Sequence, residues 1–140
     1  RTGRPCDGNG KAPQKVSLPF PKPFSRFTAA HEETDCDLLL VGITSTNGAL
    51  EEARECLEAE GRKVNHIQLR LISPFPAEEL RPYIEGAKKV LIVEEDFDGA
   101  APRAVLPSAL TATINFFLFL QYDGTPFLAS TIINKSKEVI

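Results

Sequence analysis

At 140 residues and a formal net charge of −3, the chain has the size of one domain. Its basic residues are scattered among acids and form no stripe able to neutralise a run of phosphates, so no nucleic acid is expected as a partner. The longest strongly apolar stretch, Ile114 to Leu120, is interrupted by Asn115 and is too short to cross a bilayer as a helix, so no membrane partner is expected.

The three cysteines, Cys6, Cys36 and Cys56, are odd in number and widely spaced. They make neither a disulfide framework nor a CxxC metal half-site, and they point to a reducing, cytoplasmic compartment. No secretory signal is visible, and the sequence opens on Arg1 where a complete reading frame gives methionine, so a fragment or trimmed chain is expected.

Residues 1–36 are rich in Pro, Gly, Lys and Ser, with Pro19, Pro21 and Pro23 around Phe20 and Phe24. Proline fixes φ and removes a backbone donor, so this stretch is expected to be an extended arm without helix or ladder. Phe20, Phe24 and Phe27 lie either against the domain surface or against a neighbouring domain.

Regular patterning begins at Asp37. Leu38 to Val41, ending at Gly42, suits a strand buried on both faces of a parallel sheet. After the polar turn Thr44 to Gly48, Leu50, Ala53, Cys56 and Leu57 recur at helical spacing opposite Glu51, Glu52, Arg54, Glu55 and Glu58, and Gly61 closes that helix. Val64 to Ile72 form a second strand, stopped by Ser73, Pro74, Phe75 and Pro76.

A helix from about Ala77 to Glu85 carries Glu78 and Glu79 in its first turn, and Pro82 must lie near its start or kink it. Val90 to Val93 read as a third strand, Gly99 to Leu106 as a short helix, and Thr113 to Leu120 as a fourth strand that is either wholly buried or a partner surface. After Pro126 a last helix is read, with Ser130, Thr131 and two isoleucines weighing against it. Strands alternating with amphipathic helices give an α/β fold: a three-layer, Rossmann-like, mainly parallel sheet spanning residues 37–140.

No catalytic constellation emerges. The Gly42 to Gly48 turn has neither three glycines at G-x-G-x-x-G spacing nor a G-K-[ST] loop, which leaves either an anion at a helix N-terminus or a structural turn capped by Ser or Thr. His66 sits within a strand and reads as structural. His31 among Glu32, Glu33, Asp35, Cys36 and Asp37 has the composition of a metal cluster, but such acids are ordinarily solvated, so no metal site is assigned. Glu94, Glu95, Asp96 and Asp98 gather at the end of strand three, where ligands sit in open α/β sheets, and read as helix capping or a contact to a partner chain.

Four stretches in order resemble the C-terminal domain of 2-oxoacid:ferredoxin oxidoreductase alpha subunits: Asp37 to Gly42 with Ser45 to Ala49, Leu69 to Pro76, Val90 to Glu94 with Gly99, and Tyr122 to Phe127. The resemblance implies the transketolase C-terminal fold, in an enzyme that decarboxylates a 2-oxoacid, couples it to coenzyme A and passes electrons to ferredoxin. It also implies that thiamine diphosphate, magnesium and the iron–sulfur cluster lie on other domains or subunits. This domain then supports assembly, with no catalytic, cofactor-binding or metal residue of its own.

The contact candidates are Thr44, Ser45, Thr46, Asn47, Phe75, Glu94, Glu95, Asp96 and Asp98. The Tyr122 to Phe127 tail is more similar to the 2-oxoglutarate type than to the pyruvate type. The chain departs from the family at Thr44, where Gly is usual, at Asp96, where Asn is usual, and at Ala100 and Ala101, where Gln-Leu is usual. The rival readings are a free-standing module binding a small ligand between the Thr44 to Gly48 turn and the Glu94 to Asp98 loop, and the C-terminal domain of another thiamine enzyme.

Overall fold

Six consecutive residues, Leu38–Ile43, are buried on both faces, and they form the centre of a sheet. The computed structural model describes residues 25–96, 99, 102, 103, 105, 107 and 114–140. In chain order the elements are β1 (Phe27–Ala29), β2 (Leu38–Ile43), α1 (Asn47–Ala59), β3 (Val64–Leu69), α2 (Ala77–Gly86), β4 (Lys89–Glu94), β5 (Asn115–Leu120) and α3 (Ala129–Val139). The sheet order is β1-β3-β2-β4-β5; β2, β3, β4 and β5 pair in parallel, and β1 runs antiparallel to β3.

Side chains alternate across a strand, so β2 feeds two cores. Leu39, Val41 and Ile43 pack with Leu80 and Ile84 of α2, whereas Leu38 and Leu40 pack with Leu50, Ala53 and Leu57 of α1 and with Ile132 and Val139 of α3. The result is the expected three-layer α/β sandwich.

The face of α1 differs from the sequence reading in two positions: Cys56 is exposed, and Arg54 is turned inward instead. Gly61 takes φ +83°; its N–H donates to Glu58 O and that of Arg62 to Leu57 O, a Schellman ending that a glycine there predicts. Pro82 lies beyond the first turn of α2, and the helix continues to Gly86 without the ladder bond its missing N–H would make.

Two corrections concern the ends of the sheet. The arm was expected to make no ladder, yet Phe27–Ala29 pairs with Ile67–Leu69, and Phe27 stacks edge-on against Tyr83 with ring centroids 5.9 Å apart. Of the three arm phenylalanines, this one lies against the domain itself; Phe20 and Phe24 fall outside the described residues. The β5 run is half-buried, not wholly buried, with Leu118 46% exposed. The last helix expected after Pro126 forms as α3, while the one expected from Gly99 to Leu106 falls partly outside the described residues; of those described, 102, 103, 105 and 107 are helical.

Candidate contact site at the carboxyl edge of the sheet

β2, β4 and β5 end on the same edge, and their loops meet there. After β2 the chain makes a short 3-10 turn, Thr44–Thr46, before α1. Thr44 has φ 57°, a left-handed conformation disfavoured for a β-branched residue. Gln68 Nε2 donates to the Thr44 carbonyl at 3.0 Å, and the Thr44 and Thr46 hydroxyls donate to Ile43 O at 2.8 and 3.0 Å.

The expected Ser or Thr cap on α1 is therefore absent: these hydroxyls turn back to the strand, and that of Ser45 donates to Glu95 Oε2. Replacing Thr44 by glycine removes the left-handed penalty and the Oγ1 bond together. The variant is expected to gain about 1 kcal/mol, seen as a higher urea midpoint at unchanged slope.

Glu95 joins two loops, because its second oxygen accepts from the Phe127 backbone N–H at 3.3 Å. The Tyr122 to Phe127 segment is held by its own groups. Asp123 Oδ1 accepts from the Thr125 N–H at 2.9 Å and from its hydroxyl at 2.6 Å, and Gln121 Nε2 donates to Thr125 O at 3.0 Å. The Thr125 hydroxyl and amide hold the Asp123 carboxyl below the usual carboxylate range. Phe127 inserts into the core edge-on to Phe119, 5.0 Å between centroids.

The candidates thus divide. Thr44, Ser45, Asn47 and Asp96 are exposed, Glu95 and Phe75 are half-buried, and Thr46 and Glu94 are buried; Asp98 lies outside the described residues. The sequence reading missed Gln68, Gln121 and Thr125, whose roles depend on bonds to main chain that no residue pattern announces.

Among the described residues, two clefts at this edge share no lining residue. One, of about 550 Å³, lies between the ends of β2 and β3, and its lining among the described residues has Thr28, Thr44, Asn47, Gln68 and Arg70 as polar groups and no carboxylate. The other, of about 470 Å³, lies between the ends of β4 and β5, and Glu95 and Asp96 are the charged groups of its lining among the described residues. The Ser45–Glu95 bond joins the two turns between them, so the Thr44 to Gly48 turn and the acidic loop do not line one cleft among the described residues.

Behind this edge a polar layer is buried between β3 and α1. His66 is 5% exposed; burial first, and the Arg54 cation second, push its imidazole down to about 4, against a smaller opposing effect of Gln68. It is therefore neutral near pH 7. His31 pairs with Glu58 Oε1 at 2.6 Å instead of with its acidic neighbours, and its backbone N–H donates to Asn65 Oδ1 at 3.1 Å. Burial pushes the Cys36 thiol up to about 11, which makes it a poor nucleophile and a poor metal ligand. Among the described residues no group of three His, Cys, Asp or Glu is placed to hold a metal ion, and no helix is long and apolar enough to cross a membrane.

Residues 36–113 match the family model described as pyruvate:ferredoxin oxidoreductase core domain II. A 2-oxoacid:ferredoxin oxidoreductase subunit alpha from Aeropyrum pernix is 28% identical over 110 residues, 79% of this chain and 17% of that protein. A ketoisovalerate oxidoreductase subunit VorA from Pyrococcus horikoshii is 31% identical over 78 residues, 56% of this chain and 20% of that protein.

Among solved structures, the 2-oxoglutarate:ferredoxin oxidoreductase from Magnetococcus marinus with 2-oxoglutarate, coenzyme A and succinyl-CoA bound superposes with a TM-score of 0.73 at 26% identity, covering 82% of this chain and 20% of that one. For the fold alone, a split-gene transketolase, an inactive beta4 tetramer, matches with a TM-score of 0.68 at 20% identity, covering 81% of this chain and 40% of that one. The chain spans about a fifth of the length of the curated relatives it matches. With more than half its residues matched by the family model and the transketolase C-terminal-like fold in place, the chain belongs to the pyruvate:ferredoxin oxidoreductase core domain II family, as the domain II region of a 2-oxoacid:ferredoxin oxidoreductase alpha subunit.

Proposed function

We propose that this domain supports assembly and carries no reactive group of its own, within an enzyme that oxidatively decarboxylates a 2-oxoacid to an acyl-CoA and reduces ferredoxin. The observation that carries the reading is the double role of Glu95, which ties the turn after β2 to the loop before α3. A carboxylate so engaged acts as a brace that shapes a surface. Thr44, Ser45, Asn47, Phe75, Glu95 and Asp96 then form the contact to neighbouring domains or subunits, with Thr46 and Glu94 supporting them from inside.

Thiamine diphosphate binds through a cation held by oxygen ligands, and an iron–sulfur cluster needs several thiolates. The described residues do not fit either group: they offer no metal-ligand cluster, and of the described thiols Cys36 is buried and protonated and Cys56 stands alone on the surface. On this reading thiamine diphosphate, magnesium and the cluster are held by other domains or subunits, which with coenzyme A and ferredoxin complete the enzyme. The free thiols of Cys36 and Cys56 support a cytoplasmic setting.

The Tyr122 to Phe127 tail supports 2-oxoglutarate over pyruvate as the 2-oxoacid. Incubated with 2-oxoglutarate or pyruvate, coenzyme A and ferredoxin, the 140-residue chain alone is expected to reduce no ferredoxin. The alpha subunit that carries it, with its companion subunits, is expected to show the higher kcat/KM for 2-oxoglutarate. Turnover by the chain alone overturns the non-catalytic reading, and a preference for pyruvate overturns the type.

A further inference from the structure

The large apolar side chains exposed among the described residues, Leu118, Tyr122 and Leu128, all fall within one short stretch running from β5 to the start of α3. That stretch is also poor in charge. From Asn115 to Asn134 the only charged residue is Asp123, in a chain that is 25% charged, and Asp123 is engaged by Thr125. Elsewhere the surface carries ion pairs such as Arg26–Glu79, Lys63–Asp35, Lys88–Asp37 and Lys137–Glu60.

β5 also terminates the sheet. It pairs with β4 along all six residues and, among the described residues, with no strand on its other side. Its sequence, Asn-Phe-Phe-Leu-Phe-Leu, has none of the lysines or prolines that guard a free edge. The opposite edge is guarded: β1 is only three residues long and antiparallel, and Arg26 beside it is ion-paired. A recess of about 430 Å³ next to Leu128 is lined, among the described residues, by the uncharged Gln121, Thr125, Pro126 and Thr131. An apolar, charge-poor stretch that includes a strand edge unpaired among the described residues has the composition of a buried interface centre.

We infer that the β5 edge, with Tyr122 and Leu128 beside it, is a docking surface for a charge-poor apolar face in the remainder of the same alpha subunit, which contributes main-chain groups to the edge. This rests on the assembly reading above and names the surface that reading requires. The occupant follows from length: the chain spans 17% of the Aeropyrum subunit and 20% of the Magnetococcus chain, so most of the polypeptide in those relatives lies beyond this domain. A tethered partner is present at high effective concentration, so a modest patch suffices to hold it.

The test is hydrogen exchange across β5, in the whole alpha subunit and in the 140-residue chain alone. In a parallel pair alternate amides face away from the neighbouring strand, and these are expected to exchange about tenfold or more slowly in the subunit than in the isolated chain. The double substitution Leu118→Arg with Leu128→Arg is expected to abolish that protection in the subunit. In the isolated chain it should leave the urea midpoint unchanged, which separates docking from folding.

Equal exchange of β5 in both settings overturns the inference. So does a dimer of the isolated chain that the double substitution dissolves, since the occupant is then a second copy. Failure of the underlying reading looks different: the isolated chain would turn over a 2-oxoacid whatever β5 does, whereas an inert chain with β5 unprotected in the subunit sinks this inference alone.

Discussion

Valine at position 42 is expected to cost about 3 kcal/mol of stability, toward the upper end for overpacking a core. A Cβ on Gly42 would lie 2.1 Å from Leu50 Cδ1, 2.5 Å from Thr46 Oγ1 and 3.2 Å from Gln68 Oε1. Leu50 and Thr46 are both fully buried, so neither has open space to move into. Only a strand residue without a side chain lets α1 settle this closely on β2, and the same approach sets the Thr44 turn and through it the Ser45–Glu95 brace. Urea unfolding should show the loss as a lower midpoint. Leu50→Ala in the same background should cost less than the sum of the two single substitutions, because it vacates the space the new side chain needs.

Acid should weaken the fold through His66. Its imidazole titrates at about 4 in the folded chain and at its ordinary 6.5 when unfolded, so the unfolded state takes up the proton first. Stability is therefore undiminished above the unfolded value and falls as pH drops through the window between the two. Between pH 7 and pH 5 the expected loss is about 2 kcal/mol, and across the full window roughly 3 kcal/mol. The upper part of that window is informative because carboxylates there remain ionised. His66→Gln, which keeps a polar side chain beside Arg54 without a titrating ring, is expected to be nearly flat between pH 7 and pH 5. An unchanged slope in that variant would place the acid sensitivity elsewhere.

Much of the fold was legible because the relevant physics is local. A doubly buried parallel strand must be an apolar run, which Leu38 to Val41 is, and Gly61 announces its left-handed cap without help from the rest of the chain. Cys56 and Arg54 lie on the opposite sides of α1 from those that hydrophobicity alone implies, because the inward turn of Arg54 depends on Glu55 and Glu58, which bind its guanidinium. β1 was missed because three residues beside a proline-rich stretch carry no period, and it exists only through its ladder to β3. At the candidate site the acidic loop and the polar turn were both visible, but the Ser45–Glu95 bond spans 50 positions and the Gln68–Thr44 bond spans 24, distances over which residue spacing says nothing. The two clefts appear as one site in the sequence because the strand order that separates them is not written locally.

The most direct test of the account is the thermal stability of the purified chain titrated separately with magnesium thiamine diphosphate, coenzyme A and a nucleoside triphosphate. A domain without a cofactor site, completed by neighbouring protein, keeps the same melting temperature at every concentration of each. A saturable rise with any of the three, lost when Arg70 or Asn47 at the first cleft is replaced by alanine, would show that this domain binds a ligand in its own right and would contradict the assembly reading.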